Sequence, residues 1–174
     1  MKSPRITYML AALLVVAGMY ATFLPTTLYA LPRAGQPAPP FKVITTSGQQ
    51  VTLENYRGYV LVLDFFATWC QPCRESVPHL IEMNRQYGKQ GLQILGLGAD
   101  EDGEKLVKAF ASDLKITYPV AVAGETVLTD YGVRSVPVMM VIDRKGKIAE
   151  IFRGANDEIK RSAEKLIKKL LAEK

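Results

Sequence analysis

Cysteine is scarce: the 174 residues hold only Cys70 and Cys73. None is left over for a structural disulfide, and no third thiol can resolve or relay an exchange between them. Histidine is scarcer, and with His79 alone two thiolates and one imidazole leave a zinc site one ligand short. Internal repeats are absent. The formal charge of +5 reflects 22 basic against 17 acidic residues. Setting aside Lys2 and Arg5 leaves 20 against 17, an excess too small to argue for nucleic-acid binding. What remains is ordinary: an apolar fraction of 48% and enough length for one domain with a core, plus a short appendage.

The first thirty residues contain no acid, and Ile6 to Leu24 carry no charge of either sign. Lys2 and Arg5 precede that stretch, which places the N-terminus in the cytoplasm and the remainder across a membrane. Its 19 residues approach the roughly 20 needed to span a bilayer, whereas signal-peptide cores run to about 7–15. An uncleaved anchor is favoured on length. Cleavage after Leu28-Tyr29-Ala30 is the alternative, with Leu28 bulky for such a site. Either outcome puts the folded part outside the cytoplasm, on the periplasmic side, anchored in the inner membrane or soluble. The chain divides into a signal anchor or signal peptide at 1–30, a proline-rich tether at 31–40 (LPRAGQPAPP) and a folded domain at 41–174.

Within the domain, Phe41–Ile44 and Gln50–Leu53 read as an N-terminal β-hairpin around Thr45-Thr46-Ser47-Gly48. Asn55–Gly58 reads as a turn, and Tyr59–Phe66 as a central strand covered on both faces. A helix from the cysteines to Tyr87 contains Pro78, which should kink it, and stops at Gly88. Gln93–Leu97 is a strand, GLGADEDG a loop, Glu104–Leu114 a helix, Tyr118–Val122 a strand and Leu128–Tyr131 a helical turn. Val138–Ile142 and Lys147–Phe152 flank the turn Asp143-Arg144-Lys145-Gly146. Asn156 caps a last helix whose apolar stripe is Ile159, Ala163, Leu166, Ile167 and Leu170. The class is α/β, with a central mixed sheet flanked by helices.

The stretch with chemistry is VLVLDFFATWCQPCRESVP, Val60 to Pro78. Two thiols three positions apart at a helix start can close a small disulfide ring and reopen it. The helix N-terminus favours the thiolate of the first sulfur. Cys70 therefore reads as the attacking thiol and Cys73, one turn inside, as the resolving one, with Trp69 part of a contact surface. Asp64 interrupts the buried strand, where a poorly solvated carboxyl has a raised pKa and could take a proton from Cys73. A strand-end aspartate bonded to backbone or solvent is the other reading. Pro137 opens a strand, where its missing N–H costs little. His79 reads as a surface or packing histidine, and Met139 and Met140 as core.

Tyr56-Arg57-Gly58, Phe66-Ala67-Thr68-Trp69-Cys70, Pro72-Cys73 and Pro78 together resemble the thioredoxin superfamily, and specifically its membrane-anchored, extracytoplasmic TlpA/ResA-like branch. Gly132-Val133-Arg134-Ser135-Val136-Pro137 resembles that fold's cis-proline loop. The resemblance runs from about Gly35 to the C-terminus and implies a thioredoxin-like fold. It also implies a cis Val136–Pro137 bond beside the disulfide, exposing the backbone of Val136 to an extended substrate. Thioredoxins place a buried aspartate at the Asp64 spacing. Cytochrome-maturation members often carry a glutamate three positions after the second cysteine; here that position is Ser76, and Glu75 sits one step around the helix, where a solvated face is expected.

The expected function is a monomeric protein-disulfide reductase with no cofactor beyond the Cys70–Cys73 disulfide. Its expected partners are disulfide-containing proteins, with cytochrome c maturation the first substrate guess, and a membrane electron donor by family analogy. Gln71-Pro72 between the cysteines supplies no cation, which leans towards a reductant. Three rivals stand beside it. One is a disulfide-forming oxidant. Another is a Cu(I)-binding metallochaperone using the same thiols. The third is a thiol peroxidase, because Gly35-Gln36-Pro37-Ala38-Pro39 resembles the peroxiredoxin-related opening; Ala67 stands where such a peroxidase wants threonine.

Overall fold

The computed structural model of the protein describes residues 31–100 and 103–173. The apolar stretch at 6–24, its flanking cations and the cleavage site at Ala30 lie outside the described residues. Among those described, no helix is long and apolar enough to cross a membrane.

The elements in order are β1 (Lys42–Ile44), β2 (Gln50–Thr52), β3 (Val60–Phe66), α1 (Gln71–Tyr87), β4 (Leu92–Gly98), α2 (Glu104–Asp113), β5 (Val120–Val122), α3 (Glu125–Asp130), β6 (Val138–Ile142), β7 (Ile148–Arg153) and α4 (Asp157–Ala172). Strands β5-β4-β3-β6-β7 form one mixed sheet. Its β3–β4 and β4–β5 pairs are parallel, and β6 lies antiparallel to both β3 and β7.

Strand β3 is central because its side chains are wanted on both faces. All seven residues are buried, and successive side chains alternate in direction. Val60, Val62 and Phe66 enter a core with Cys73, Val77 and Leu80 of α1, Phe110 of α2 and Ile167 of α4. Leu61, Leu63 and Phe65 enter the opposite core, with Val43 and Val51 of the hairpin and Tyr131. By this alternation Asp64 is the one polar residue on the α1/α4 face. Helix α2 comes close to β4 because Gly98 has no side chain: a Cβ there would fall 2.5 Å from Val107 Cγ2. Helix α4 begins as expected, with the Asn156 side-chain oxygen accepting the Ile159 N–H at 2.8 Å.

Several boundaries move. The hairpin is a separate two-stranded sheet, tied to the edge strand β5 by the Thr46 N–H donating to the Val120 carbonyl at 2.8 Å. Leu53 leaves β2 to begin a 3-10 turn, Leu53–Tyr56. Helix α1 runs as one element through Pro78. Instead of a turn at Leu128–Tyr131, the chain forms the six-residue α3; it has no side-chain cap and buries none of its residues, so little in its sequence announces it.

The proline-rich stretch is not free along its length. Gly35 N–H donates to the Ile148 carbonyl at 2.7 Å, Ile148 N–H to Gln36 at 2.9 Å, and Ala38 N–H to Gly146 at 2.9 Å. The physical reason is the open edge of β7, whose backbone groups an extended segment satisfies.

Candidate active site

Three residues, Ala67 to Trp69, join the end of β3 to the first turn of α1. Thr68 fixes this loop. Its N–H donates to both Asp100 oxygens at 3.1 Å, and its hydroxyl donates to Asp100 Oδ1 at 2.6 Å. Asp100 is 6% exposed and follows β4. From the other side Arg74 Nη1 donates to the Thr68 carbonyl at 3.4 Å, while its guanidinium lies 5.1 Å from the Phe110 ring centre. The loop so held leaves Trp69 77% exposed immediately before the first cysteine.

Cys70 and Cys73 are joined as a disulfide, with Cα atoms 5.3 Å apart. Cys70 is the N-cap of α1, and its sulfur accepts the Cys73 amide N–H at 3.3 Å. When the bond opens, that amide and the helix dipole favour a thiolate on Cys70. Both sulfurs' residues are buried, Cys73 more completely (1% against 5% exposed). An outer thiol with an N–H donor and an inner, sealed one can carry attack and resolution respectively.

The Val136–Pro137 bond is cis. Pairing of Phe65 with Val138 and Asp64 with Met139 sets Pro137 at the end of the sheet where β3 leads into the cysteine loop. Val136 packs against the buried cluster that contains both cysteines.

Asp64 lies mid-strand, opposite Gly96 and Met139, not at a strand end. It is 3% exposed, and burial pushes its carboxyl up to about 7. Its influence reaches Tyr118, whose hydroxyl is held well above the usual phenol range by burial and by the Asp64 charge. Beside Asp64 a cavity of about 10 Å³ is lined by Asp64, Ser76, His79, Pro137, Met139 and Lys160, among others.

The structure therefore gathers Cys70, Cys73, Trp69, Val136 and Pro137 at one end of the sheet, with Asp64 buried two residues before the end of β3. Glu75 faces solvent, accepting from Gln71 Nε2 at 3.0 Å, as expected. Ser76 is the residue turned inward, donating to the Cys73 carbonyl at 2.8 Å. Two features of the surroundings were not foreseen from the sequence. Asp100 carries no local signal, since its partner lies 32 residues away. His79, read as a surface or packing residue, is half-buried, and its Nε2 is buried without a hydrogen-bond partner. The spacing Cys73, Ser76, His79 is a single i, i+3 helix stripe and could have flagged it. Among the described residues no group of three or more His, Cys, Asp or Glu side chains converges as metal ligands would.

Comparison with known proteins agrees with this geometry. The Redoxin family matches residues 33–167. The thiol-disulfide oxidoreductase ResA of Bacillus thuringiensis is 30% identical over 98% of this chain and 99% of its own. ResA of Geobacillus thermodenitrificans is 34% identical over 92% and 93% respectively. A crystal structure described as a DsbE-type thiol:disulfide interchange protein of Chlorobium tepidum superposes with a TM-score of 0.76 at 30% identity, covering 81% of this chain and 99% of that one. A thioredoxin-like fold, a cysteine pair at the start of α1 and relatives matched along nearly their whole length place the chain in the Redoxin family, among its ResA-like thiol–disulfide oxidoreductases.

Proposed function

We propose that the protein works outside the cytoplasm, tethered to the membrane by its N-terminal segment, as a reductant of disulfides in partner proteins. The observation that carries this reading is the seating of Cys70: its sulfur accepts a helix-start amide beside an exposed Trp69, and a buried carboxyl lies on the same face of the sheet. In the reduced protein the Cys70 thiolate attacks one sulfur of a partner disulfide, forming a Cys70–partner bond and releasing the other partner sulfur as a thiolate. Cys73 then gives its proton to the Asp64 carboxylate and attacks Cys70. The mixed disulfide breaks, the second partner thiolate leaves and takes a proton from water, and Cys70–Cys73 closes. The partner gains two electrons and the cysteine pair loses them.

Trp69 and the Val136–Pro137 segment form the surface against which an extended partner segment lies. The pair serves as its own redox group, and a membrane protein delivering electrons from the cytoplasm restores the dithiol. Gln71 and Pro72 place no cation between the thiols, which supports a reducing poise. The 19-residue uncharged stretch behind Lys2 and Arg5 supports the extracytoplasmic assignment. Cytochrome c maturation is the first process to test, and Ser76 in place of a glutamate marks where this chain departs from members dedicated to it.

The reduction potential of the Cys70–Cys73 pair tests the direction. A value near about −270 mV fits an electron-fed reductant; one near about −120 mV makes the protein a disulfide donor instead. Copper titration of the reduced protein tests the metallochaperone alternative: tight Cu(I) binding by both thiols would favour it.

A further inference from the structure

At the end of the sheet that carries the cysteine loop, a cleft of about 570 Å³ opens where the parallel strands β4 and β5 finish. Its walls include Ala99 and Asp100 after β4, Val122 and Ala123 at the end of β5, and Glu125 and Leu128 of α3. One wall is tied to the cysteine loop. Asp100 accepts the Thr68 N–H and hydroxyl, and the Ala99 N–H donates to the Phe66 carbonyl at 2.8 Å. The opposite wall is tied to the cis-proline loop: the Leu128 carbonyl accepts the Val133 N–H at 2.8 Å, three residues before Val136. The cleft is thus continuous with both segments that face the partner. Neighbouring strands lie about 4.8 Å apart, so it begins about 5–10 Å from the end of β3, two or three residues along an extended segment. Ala99, Val122 and Leu128 are half-buried and apolar. The charges on the lining are of one sign, with Asp100 buried and Glu125 exposed at the rim. Among the described residues no lysine, arginine or histidine forms an ion pair with either carboxylate. Apolar walls leading to carboxylates suit a long amphipathic cation, whose stem lies on the walls while its head meets the charge.

We propose that this cleft receives a lysine or arginine side chain of the partner protein, two or three residues from the cysteine that Cys70 attacks. The inference rests on the reading of the protein as a reductant of partner disulfides, and adds to it what kind of partner segment is selected. Asp100 has capacity for the incoming cation: a carboxylate offers about four acceptor positions, and Thr68 supplies two donors. Glu125 adds a second negative charge at the rim, which also repels an acidic segment. The cleft acts on capture of the partner, and the exchange at the sulfurs proceeds as before.

The test uses the reduced 174-residue chain and disulfide-bonded model peptides that differ at one position, three residues before or three after the cysteine, carrying Lys, Gln or Glu. In one of the two placements the Lys peptide should show a kcat/KM about threefold or more above the Gln peptide, with the Glu peptide below both. Glu125→Gln should shrink that preference, and Glu125→Lys should abolish or invert it. Glu125 is exposed, so neither change removes a buried contact. In the mixed disulfide trapped on Cys70 by Cys73→Ser, the amide resonances of Ala123, Gly124 and Leu128 should move more with the Lys peptide than with the Gln peptide. Equal kcat/KM for all three peptides would overturn the cleft and leave the reductant reading standing. A Lys preference that survives Glu125→Lys would overturn it too, because the cation would then be read elsewhere. Failure of every peptide to form a mixed disulfide would instead overturn the reductant reading, and the cleft with it.

Discussion

Replacing Asp64 by Asn should stabilise the oxidised protein at high pH and leave it nearly unchanged at low pH. The carboxyl is raised from 3.8 to about 7, and the cause is burial. Its folded-state pKa thus lies above its unfolded value, so the native state binds the extra proton between the two. Below about pH 4 both states hold a neutral acid and the site costs nothing. Between about pH 4 and 7 the unfolded chain ionises while the folded one resists, and stability falls by about 1.4 kcal/mol per pH unit. Above about pH 7 the folded carboxyl ionises too and the loss levels off at about 4 kcal/mol. Asn has the same shape and never ionises, so the variant escapes this loss. The assay is denaturant unfolding of oxidised wild type and variant at pH 4, 6 and 8, comparing midpoints at constant slope. The disulfide keeps both thiols out of the titration. Exposed pairs such as Glu54–Arg57 and Glu82–Arg85 titrate alike in both proteins and cancel in the difference. A difference curve flat across this range would refute the argument that Asp64 is a desolvated, proton-holding acid.

The same variant should reduce disulfides more slowly, because the acceptor for the Cys73 proton is gone. Replacing Cys73 by Ser should leave partners covalently held on Cys70, visible as mixed disulfides on non-reducing gels; their absence would contradict the order of attack and resolution. Asp100→Ala removes the acceptor of three hydrogen bonds from Thr68 and leaves the loop amide unpaired. A stability loss of about 1–3 kcal/mol is expected, with reduced activity beyond it, because Thr68 sets the position of Trp69; a denaturation midpoint equal to wild type would disprove this.

The sheet was legible because β3 and β6 bury every residue, and such runs stand out against the turns that bound them. The cysteine pair and α1 were legible for a related reason: cap, proline at the first turn and apolar stripe are all local. Asp64 was readable as an acid in an apolar run, although which face it took depended on the alternation of its neighbours. What escaped was tertiary. Asp100 meets Thr68 only because β4 lies parallel to β3, with Phe66 beside Gly98. Lys160 reaches the Asp64 cavity from a helix almost a hundred residues later. The 31–40 segment looked like a tether because proline-rich composition predicts an extended chain; composition carries no information about the β7 edge waiting to pair with it.

The two sides of the disulfide do different work, and the fold keeps them apart. On the outer side stand Trp69, the cis-proline loop and Thr68, the last braced by Asp100 and Arg74. On the inner side stand Asp64, Ser76 and His79, enclosed between α1, α4 and the sheet. In the proposed cycle partner sulfurs approach from the outer side, and the proton released at Cys73 faces the inner one. Substitutions at Trp69 or Val136 should therefore act on capture of the partner and leave the pH profile in place. Those at Asp64 should move the pH profile while partner capture, read as mixed-disulfide formation in a Cys73→Ser background, stays near wild type. A Trp69→Ala variant that shifted the pH profile as Asp64→Asn does would show that the two sides are coupled through the disulfide, and the division would have to be abandoned.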